Sequence, residues 1–256
     1  MSNPEKKTPE LDGLRIVVVG STGKIGGHLV RGLLERGALV CALGRSEERL
    51  DELVQSAVAG RDRLVPMRSD LSTPKGAEAA RNAVRGVFKG HPPDAVVDAV
   101  GRFTAGSLLT GEEGVWETAL EDNLNVHIRL ARAFLPLLLE RRGEDPSRWP
   151  PVTFTLVMGL AGETPNPAAG AMAVTGAAEA MLARVLAREA GPLGVSVNGV
   201  VLGPVATDEG LASAHPERIR GMDVAAMVAY LVSSGGRSLH GSFVRLLERA
   251  PEGPVS

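Results

Sequence analysis

The segment Gly20-Ser-Thr-Gly23-Lys-Ile-Gly26-Gly27 carries the most readable chemistry of this 256-residue chain. It follows the β-branched run Ile16–Val19 and precedes a stretch with apolar residues at Ile25, Leu29, Val30, Leu33 and Leu34. That is a strand, a glycine-rich turn and an amphipathic helix. Glycines at 20, 23 and 26 permit a tight turn and let a pyrophosphate approach the backbone, while the helix N-terminus offers free N–H groups to phosphate oxygens. The same spacing also occurs in plain strand-to-helix turns. The strand before it and the helix after it favour the phosphate reading. Thr22, Lys24 and Ile25 fall inside the same turn.

A second candidate lies at the end of the next apolar run, in Gly44-Arg45-Ser46. An acid there binds the ribose hydroxyls of NAD, whereas Arg45 suits the 2′-phosphate of NADP, with Lys24 adding charge nearby. The plain alternative is a solvated loop arginine. His127 lies four residues after Asn123 on the same helical face, so it is either a proton donor or a packed helix residue. His28, His91, His215 and His240 show no metal-ligand spacing. The one cysteine, Cys41, rules out an intrachain disulfide and a cysteine-rich metal site, and its apolar strand points to an inert core thiol.

Elements to position these residues follow from the apolar pattern. Strands are expected at Ile16–Val19, Ala38–Leu43, Leu64–Met67, Asp94–Val100, Val152–Met158, Val195–Val201 and Ser242–Leu247. Helices are expected at Ile25–Arg36, Glu47–Val58, Lys75–Phe88, Glu112–Leu139 (bent or broken near Pro136), Ala168–Ala190 and Asp223–Ser233. This alternation predicts an α/β fold: one doubly wound domain with a parallel sheet of about seven strands and helices on both faces. The polar, proline-rich Arg141–Pro151 reads as a surface loop. The expected organisation is a tail at 1–12, one domain at 13–249 and a tail at 250–256.

Composition removes whole classes of function. Lys and Arg number 28 against 30 Asp and Glu, a net charge of -2, so no basic surplus argues for nucleic acid, and no charge block suggests a polybasic membrane anchor. No apolar stretch runs for the ~18 residues needed to cross a bilayer without a charge or glycine, and Met1–Glu10 lacks the apolar run of a signal peptide. The expectation is a cytoplasmic protein. There is one tyrosine, Tyr230, and no lysine after Lys89.

The order of these motifs resembles the short-chain dehydrogenase/reductase family from about Gly13 to Leu247. Gly20 and Gly26 match the outer glycines of its TGxxxGxG turn, the middle one standing a place early at Gly23 with Lys24 in its usual position. Asp70-Leu71 matches the pair that holds the adenine ring. Asp98-Ala-Val-Gly101 stands where the family has NNAG, and Asn123 matches its active-site asparagine. Gly203-Pro-Val-Ala-Thr207 resembles the PGxxxT segment, whose threonine contacts the nicotinamide amide. The resemblance therefore implies a cofactor site at Gly20, Thr22, Gly23, Lys24, Ile25, Gly26, Arg45, Asp70, Leu71, Gly101 and Thr207. NADP is the expected cofactor, ahead of NAD. Asp98 either bonds the nicotinamide ribose or caps the end of its strand. Thr175, Glu163 and Asn166 join no recognisable constellation.

The departures are as informative. The family's catalytic serine follows the fifth strand and its YxxxK lies on the next helix, thirteen residues on. In this chain those places hold Gly159, Met172 and Gly176. The tyrosine moves the proton on the substrate oxygen, the lysine lowers its pKa and the serine orients the carbonyl. A positioned acid is worth ~10²–10⁴ in rate, and methionine has no proton to give. Only Asn123 keeps its catalytic type, and its job is then structural or vestigial. Three readings follow. The chain is an NADP(H)-binding protein of oxidoreductase lineage without standard hydride transfer, responsive to dinucleotide or bound to a small-molecule or protein partner. Or it is an NADP-dependent oxidoreductase with a non-standard proton donor. Or it is an interaction module with a decayed cofactor site. The two long helices are those that pair in the family's dimer, so a homodimer or homotetramer is expected. No metal is implied.

Overall fold

The computed structural model describes residues 11–144 and 152–249. The tail residues before Leu11 and after Arg249 lie outside it, as do residues 145–151 of the expected surface loop.

Seven strands form one parallel sheet: β1 (Arg15–Val19), β2 (Leu39–Gly44), β3 (Leu64–Arg68), β4 (Ala95–Asp98), β5 (Val152–Gly159), β6 (Val195–Leu202) and, last in the chain, β9 (Phe243–Leu246). Their spatial order is β3-β2-β1-β4-β5-β6-β9. The chain winds outward from β1 to β3, then crosses back to β4 and winds the other way. Both neighbours of β1 are therefore reached by crossovers in opposite directions, which opens a crevice at the carboxyl ends of β1 and β4.

Helices cover both faces because the strands are apolar on both sides. Val17 and Val19 of β1 join Cys41, Val96, Phe134 and Phe154 in one core, beneath α3 (Pro74–Val87), α5 (Val126–Glu144) and α6 (Gly170–Ala190). Ile16 and Val18 point the other way and pack with Leu29, Leu33, Val40, Val97 and Val228, beneath α1 (Lys24–Glu35), α2 (Glu47–Ser56) and α8 (Gly221–Val232). This period-two division along one strand is what a sheet buried on both faces requires. On the second face Gly32 of α1 meets α8 so closely that a Cβ there would stand 2.6 Å from the Ala225 methyl.

Several expectations need correction. The packed chain starts at Leu11, assigned above to the tail: its side chain is fully buried and its N–H donates to the Arg36 carbonyl. The long helix before β5 does not break at Pro136, which lies inside α5. Its irregularity comes earlier, where α4 (Val115–Leu120) passes into a π-helical turn at Glu121–Asn125 before α5 begins. Arg141 to Glu144 belong to α5 rather than to a surface loop, and Arg141 is buried. Its Nε donates to Asp94 Oδ1 at 2.6 Å, and Asp94 also accepts from the Arg15 backbone N–H and Nε. The segment after β6 is also more structured than expected, with a two-residue pair β7 (Val205–Ala206) and β8 (Ile219–Arg220) enclosing α7 (Glu209–Ala214). Helix α6 is apolar and long enough to cross a membrane by composition, but here it packs on β6 and β5.

Candidate functional site

The glycine turn sits at the crevice and is shaped by contacts only glycine allows. Gly20 has φ +76°, and a Cβ on it would stand 2.6 Å from the Ala99 carbonyl oxygen. A Cβ on Gly26 would run into the Gly20 carbonyl. Ser21, fully buried, ties the turn to the neighbouring strand by donating to the Leu43 carbonyl at 2.9 Å. Gly23 is the N-cap of α1 and supplies no side-chain cap, so the first helical N–H groups are left for another acceptor.

A cavity of about 550 Å³ opens over this turn. Of the expected cofactor residues, Gly20, Thr22, Gly23, Arg45, Leu71 and Gly101 line it. Ile25 lines a second cavity of about 620 Å³, which shares Gly101 with the first. Four expected residues line neither cavity: Lys24, Gly26, Asp70 and Thr207. Lys24 is exposed at the start of α1. The Asp70 carboxylate accepts from the Ser72 N–H at 3.0 Å, and bonds from Ser72 hold it below the ordinary carboxylate range. The Thr207 carbonyl faces His28 Nε2 at 3.1 Å.

The structure also brings in residues that the motif reading missed. Arg49, Ser46 and Ser69 line the first cavity together with Arg45. Ser46 caps α2 by accepting from the Arg49 N–H at 3.3 Å, which sets Arg49 one turn into the helix beside Arg45. The signal was the Ser46-Glu-Glu-Arg49 helix start, which places a second cation one turn from the first. Arg129 of α5 donates from Nε to the Leu71 carbonyl at 3.1 Å and steadies that wall.

Asn123 is buried in the π-helical turn and holds a loop rather than facing a cavity. Its Oδ1 accepts from the Arg102 N–H at 2.8 Å and its Nδ2 donates to the Arg102 carbonyl at 3.0 Å. Asp98 caps the end of β4, its Oδ1 accepting from the Val100 N–H at 3.1 Å, and it lines neither cavity. Its other oxygen lies 2.7 Å from His127 Nδ1. His127 is likewise buried away from both cavities. Cys41 is buried in the strand as expected, and burial pushes its thiol up to about 12.

The second cavity adjoins the places aligned with the catalytic residues. Gly159 and Met172 line it, with Met158, Leu160, Leu202 and Phe103 adding apolar walls. The polar side chains among its lining are Thr164 and Asn166, and none is a carboxylate, histidine, lysine, tyrosine or cysteine. The adjacent Glu163 is engaged elsewhere, accepting from the Arg245 guanidinium at 2.6 and 3.0 Å. Gly176 stands against the turn after β5, where a Cβ would lie 3.1 Å from the Gly162 backbone.

A doubly wound parallel sheet with a glycine turn at its switch point defines a dinucleotide-binding α/β protein. The chain belongs to the short chain dehydrogenase family, whose model matches residues 15–216. It is similar to nodulation protein G of Rhizobium sp. (strain N33), 28% identical over 250 residues that cover 93% of this chain and 96% of that one. It is 27% identical over 193 residues to the NADPH-dependent 1-acyldihydroxyacetone phosphate reductase of Saccharomyces cerevisiae, covering 75% of this chain and 61% of the reductase. An NADPH-bound short chain oxidoreductase of Pseudomonas aeruginosa PAO1, described as containing an atypical catalytic center, superposes with a TM-score of 0.79 at 22% identity, covering 95% of this chain and all of that one.

Proposed function

We propose that this chain binds NADP(H) but lacks the family's standard proton-transfer site, and acts as a dinucleotide-responsive or partner-binding protein. The observation that carries the reading is the lining of the second cavity, where Gly159 and Met172 face apolar walls and no lining side chain is an acid or base. The residues present fit the cofactor. Gly20 and Gly26 leave room where a Cβ would block phosphate approach, α1 begins without a side-chain cap, and Arg45 and Arg49 offer cations for a 2′-phosphate. The NADPH named for the yeast and Pseudomonas proteins points the same way. The chemistry such a cofactor would bring is a hydride donor. The chain's own residues would hold it beside the Ala99–Gly101 wall, next to an apolar space. They place no group there to hold or move a proton.

The reading of a reductase with a non-standard donor has less support. His127 was its candidate, and that ring is buried and held by Asp98. A decayed cofactor site is opposed by the intact glycine cradle. A second copy of the chain suits α6, where Val174, Met181 and Val185 are exposed on one helical face, with Ile128 of α5 also exposed. We read this as a homodimer surface.

The test is titration with NADPH and NADH followed by nicotinamide fluorescence, together with a ketone panel followed by NADPH oxidation. The expected result is binding with preference for NADPH and no turnover above the uncatalysed rate. Absence of binding at millimolar cofactor, or rapid ketone reduction, overturns the proposal.

A further inference from the structure

Beneath the wall shared by the two cavities lies a buried ionisable cluster that the cofactor reading does not use. His127 of α5 stands between Asp98 at the end of β4 and Glu179 of α6. The three residues are 1%, 1% and 6% exposed for His127, Asp98 and Glu179. His127 Nδ1 lies 2.7 Å from Asp98 Oδ2, and His127 Nε2 lies 3.6 Å from Glu179 Oε1. That second gap is too long for a good hydrogen bond and too short for an intervening water. Nε2 and Oε1 have no other hydrogen-bond partner.

Charge decides the state of such a cluster. An imidazolium between one carboxylate and one carboxylic acid is neutral overall. Removing one proton leaves a net negative charge with no water to solvate it. Among the described residues, the titratable groups that face His127 are Asp98 from β4 and Glu179 from α6. Burial raises the Glu179 carboxyl to about 7. Burial opposes the imidazolium, yet the two carboxylates outweigh it and raise His127 to about 9.

The cluster touches the cleft through one residue. Asp98 bonds His127 with one oxygen and the Val100 N–H with the other, at 3.1 Å. Ala99, Val100 and Gly101 line both cavities, and the Ala99 carbonyl abuts Gly20. We propose that Asp98, His127 and Glu179 act as a positioning unit for the cofactor cleft, holding the Ala99–Gly101 wall in the neutral state of the cluster and loosening it when one proton leaves. The proposal rests on the reading that this cleft takes NADP(H). An anionic cofactor beside the wall favours the neutral cluster, so binding takes up a proton and affinity falls as pH rises.

The test needs three readings between about pH 6 and about pH 9. Ring-nitrogen NMR of the cofactor-free protein, with His127 assigned by its absence in His127→Gln, should show an imidazolium persisting above neutrality. Exchange of the Val100 amide, corrected for its intrinsic rate, should lose protection as pH rises through about 7 in the wild type, where Glu179 gives up its proton; in Glu179→Gln that step should be absent and only the loss of the His127 proton should remain. The NADPH dissociation constant should rise by about fivefold or more over the range in the wild type, and Glu179→Gln should lack the part of that rise that falls near pH 7. A His127 ring that titrates at the ordinary value overturns the proposal, as does a Glu179→Gln protein whose Val100 protection follows the wild-type pH course. If Val100 behaves as expected but NADPH does not bind at any pH, the cluster stands and the cofactor reading fails.

Discussion

Gly159 and Met172 face each other across the second cavity: a Cβ on Gly159 would stand 3.5 Å from the Met172 methyl. That is ordinary van der Waals contact, so a serine has room at Gly159. The third place differs. Gly176 and Gly162 pack backbone to backbone, and a Cβ on Gly176 meets the Gly162 N and Cα at 3.1 Å. The double variant Gly159→Ser/Met172→Tyr should fold with wild-type stability and still reduce no ketones. Adding Gly176→Lys should lower stability by ~1–3 kcal/mol through forced displacement of the turn. Urea unfolding of the three proteins checks the order. A triple variant as stable as the double would show that the turn yields freely.

Arg45 and Arg49 both line the first cavity. Arg45→Ala should weaken NADPH by about tenfold and leave NADH nearly unchanged, the scale of one charge-assisted hydrogen bond. Arg49→Ala should reduce the same preference. Both effects should shrink as salt rises, since both side chains are exposed. Equal loss of NADPH and NADH would place Arg45 elsewhere in the site.

Neighbouring glycines give a sharp contrast. Gly26→Ala puts a methyl into the Gly20 carbonyl and 2.9 Å from Ser21 Cα, so NADPH titration should vanish and stability should fall. At Gly27 the nearest atoms to a Cβ are 3.9 Å away, and the residue lies inside α1. Gly27→Ala should therefore keep the fold and gain about 0.5–1 kcal/mol from helix propensity. Thermal melts and the fluorescence titration separate the two.

Two buried clusters shape stability at opposite ends of the pH scale. Burial alone would raise the Asp94 carboxyl, but hydrogen bonds from Arg15 and Arg141 outweigh it and hold Asp94 below the ordinary value of 3.8. Its contribution is present above that value and is lost as pH falls through the lowered folded value. Glu179 and His127 have the opposite sign, with folded values raised from 4.5 to about 7 and from 6.5 to about 9. Their contribution is full at low pH and fades as pH rises through those two windows. Melting temperature should therefore fall on the alkaline side in the wild type, and fall less in Glu179→Gln. Asp94→Asn should flatten the acid limb and cost about 3–5 kcal/mol by leaving the buried Arg141 guanidinium, and the part-buried one of Arg15, short of their carboxylate.

Much of the scaffold was legible because its signals are local. The run Ile16–Val19, the glycine turn and the spacing of Leu29, Val30, Leu33 and Leu34 each lie within one element. The π-helical turn at Glu121–Asn125 was not legible, because one extra residue in a turn hardly disturbs an apolar period read over the whole helix. Strands β7 and β8 have two residues each, too few for any alternation. Arg141 looked like the start of a loop because prolines follow it, whereas its partner Asp94 lies 47 residues earlier. Glu179 drew no attention as one acid in an alanine-rich helix. His127 and Asp98 were considered singly, and only the packing of α5 and α6 against β4 joins the three.

The strip Ala99–Gly101 forms a party wall between the two cavities. An occupant that shifts this wall in favour of its own site shifts it for the other as well. Thermodynamic reciprocity then makes the effect equal in both directions. On the proposed reading, a molecule seated against Met172 would report the nucleotide state of the crevice as faithfully as the nucleotide reports that molecule. A chain read as transferring no hydride would still be, by this wall, a two-input device.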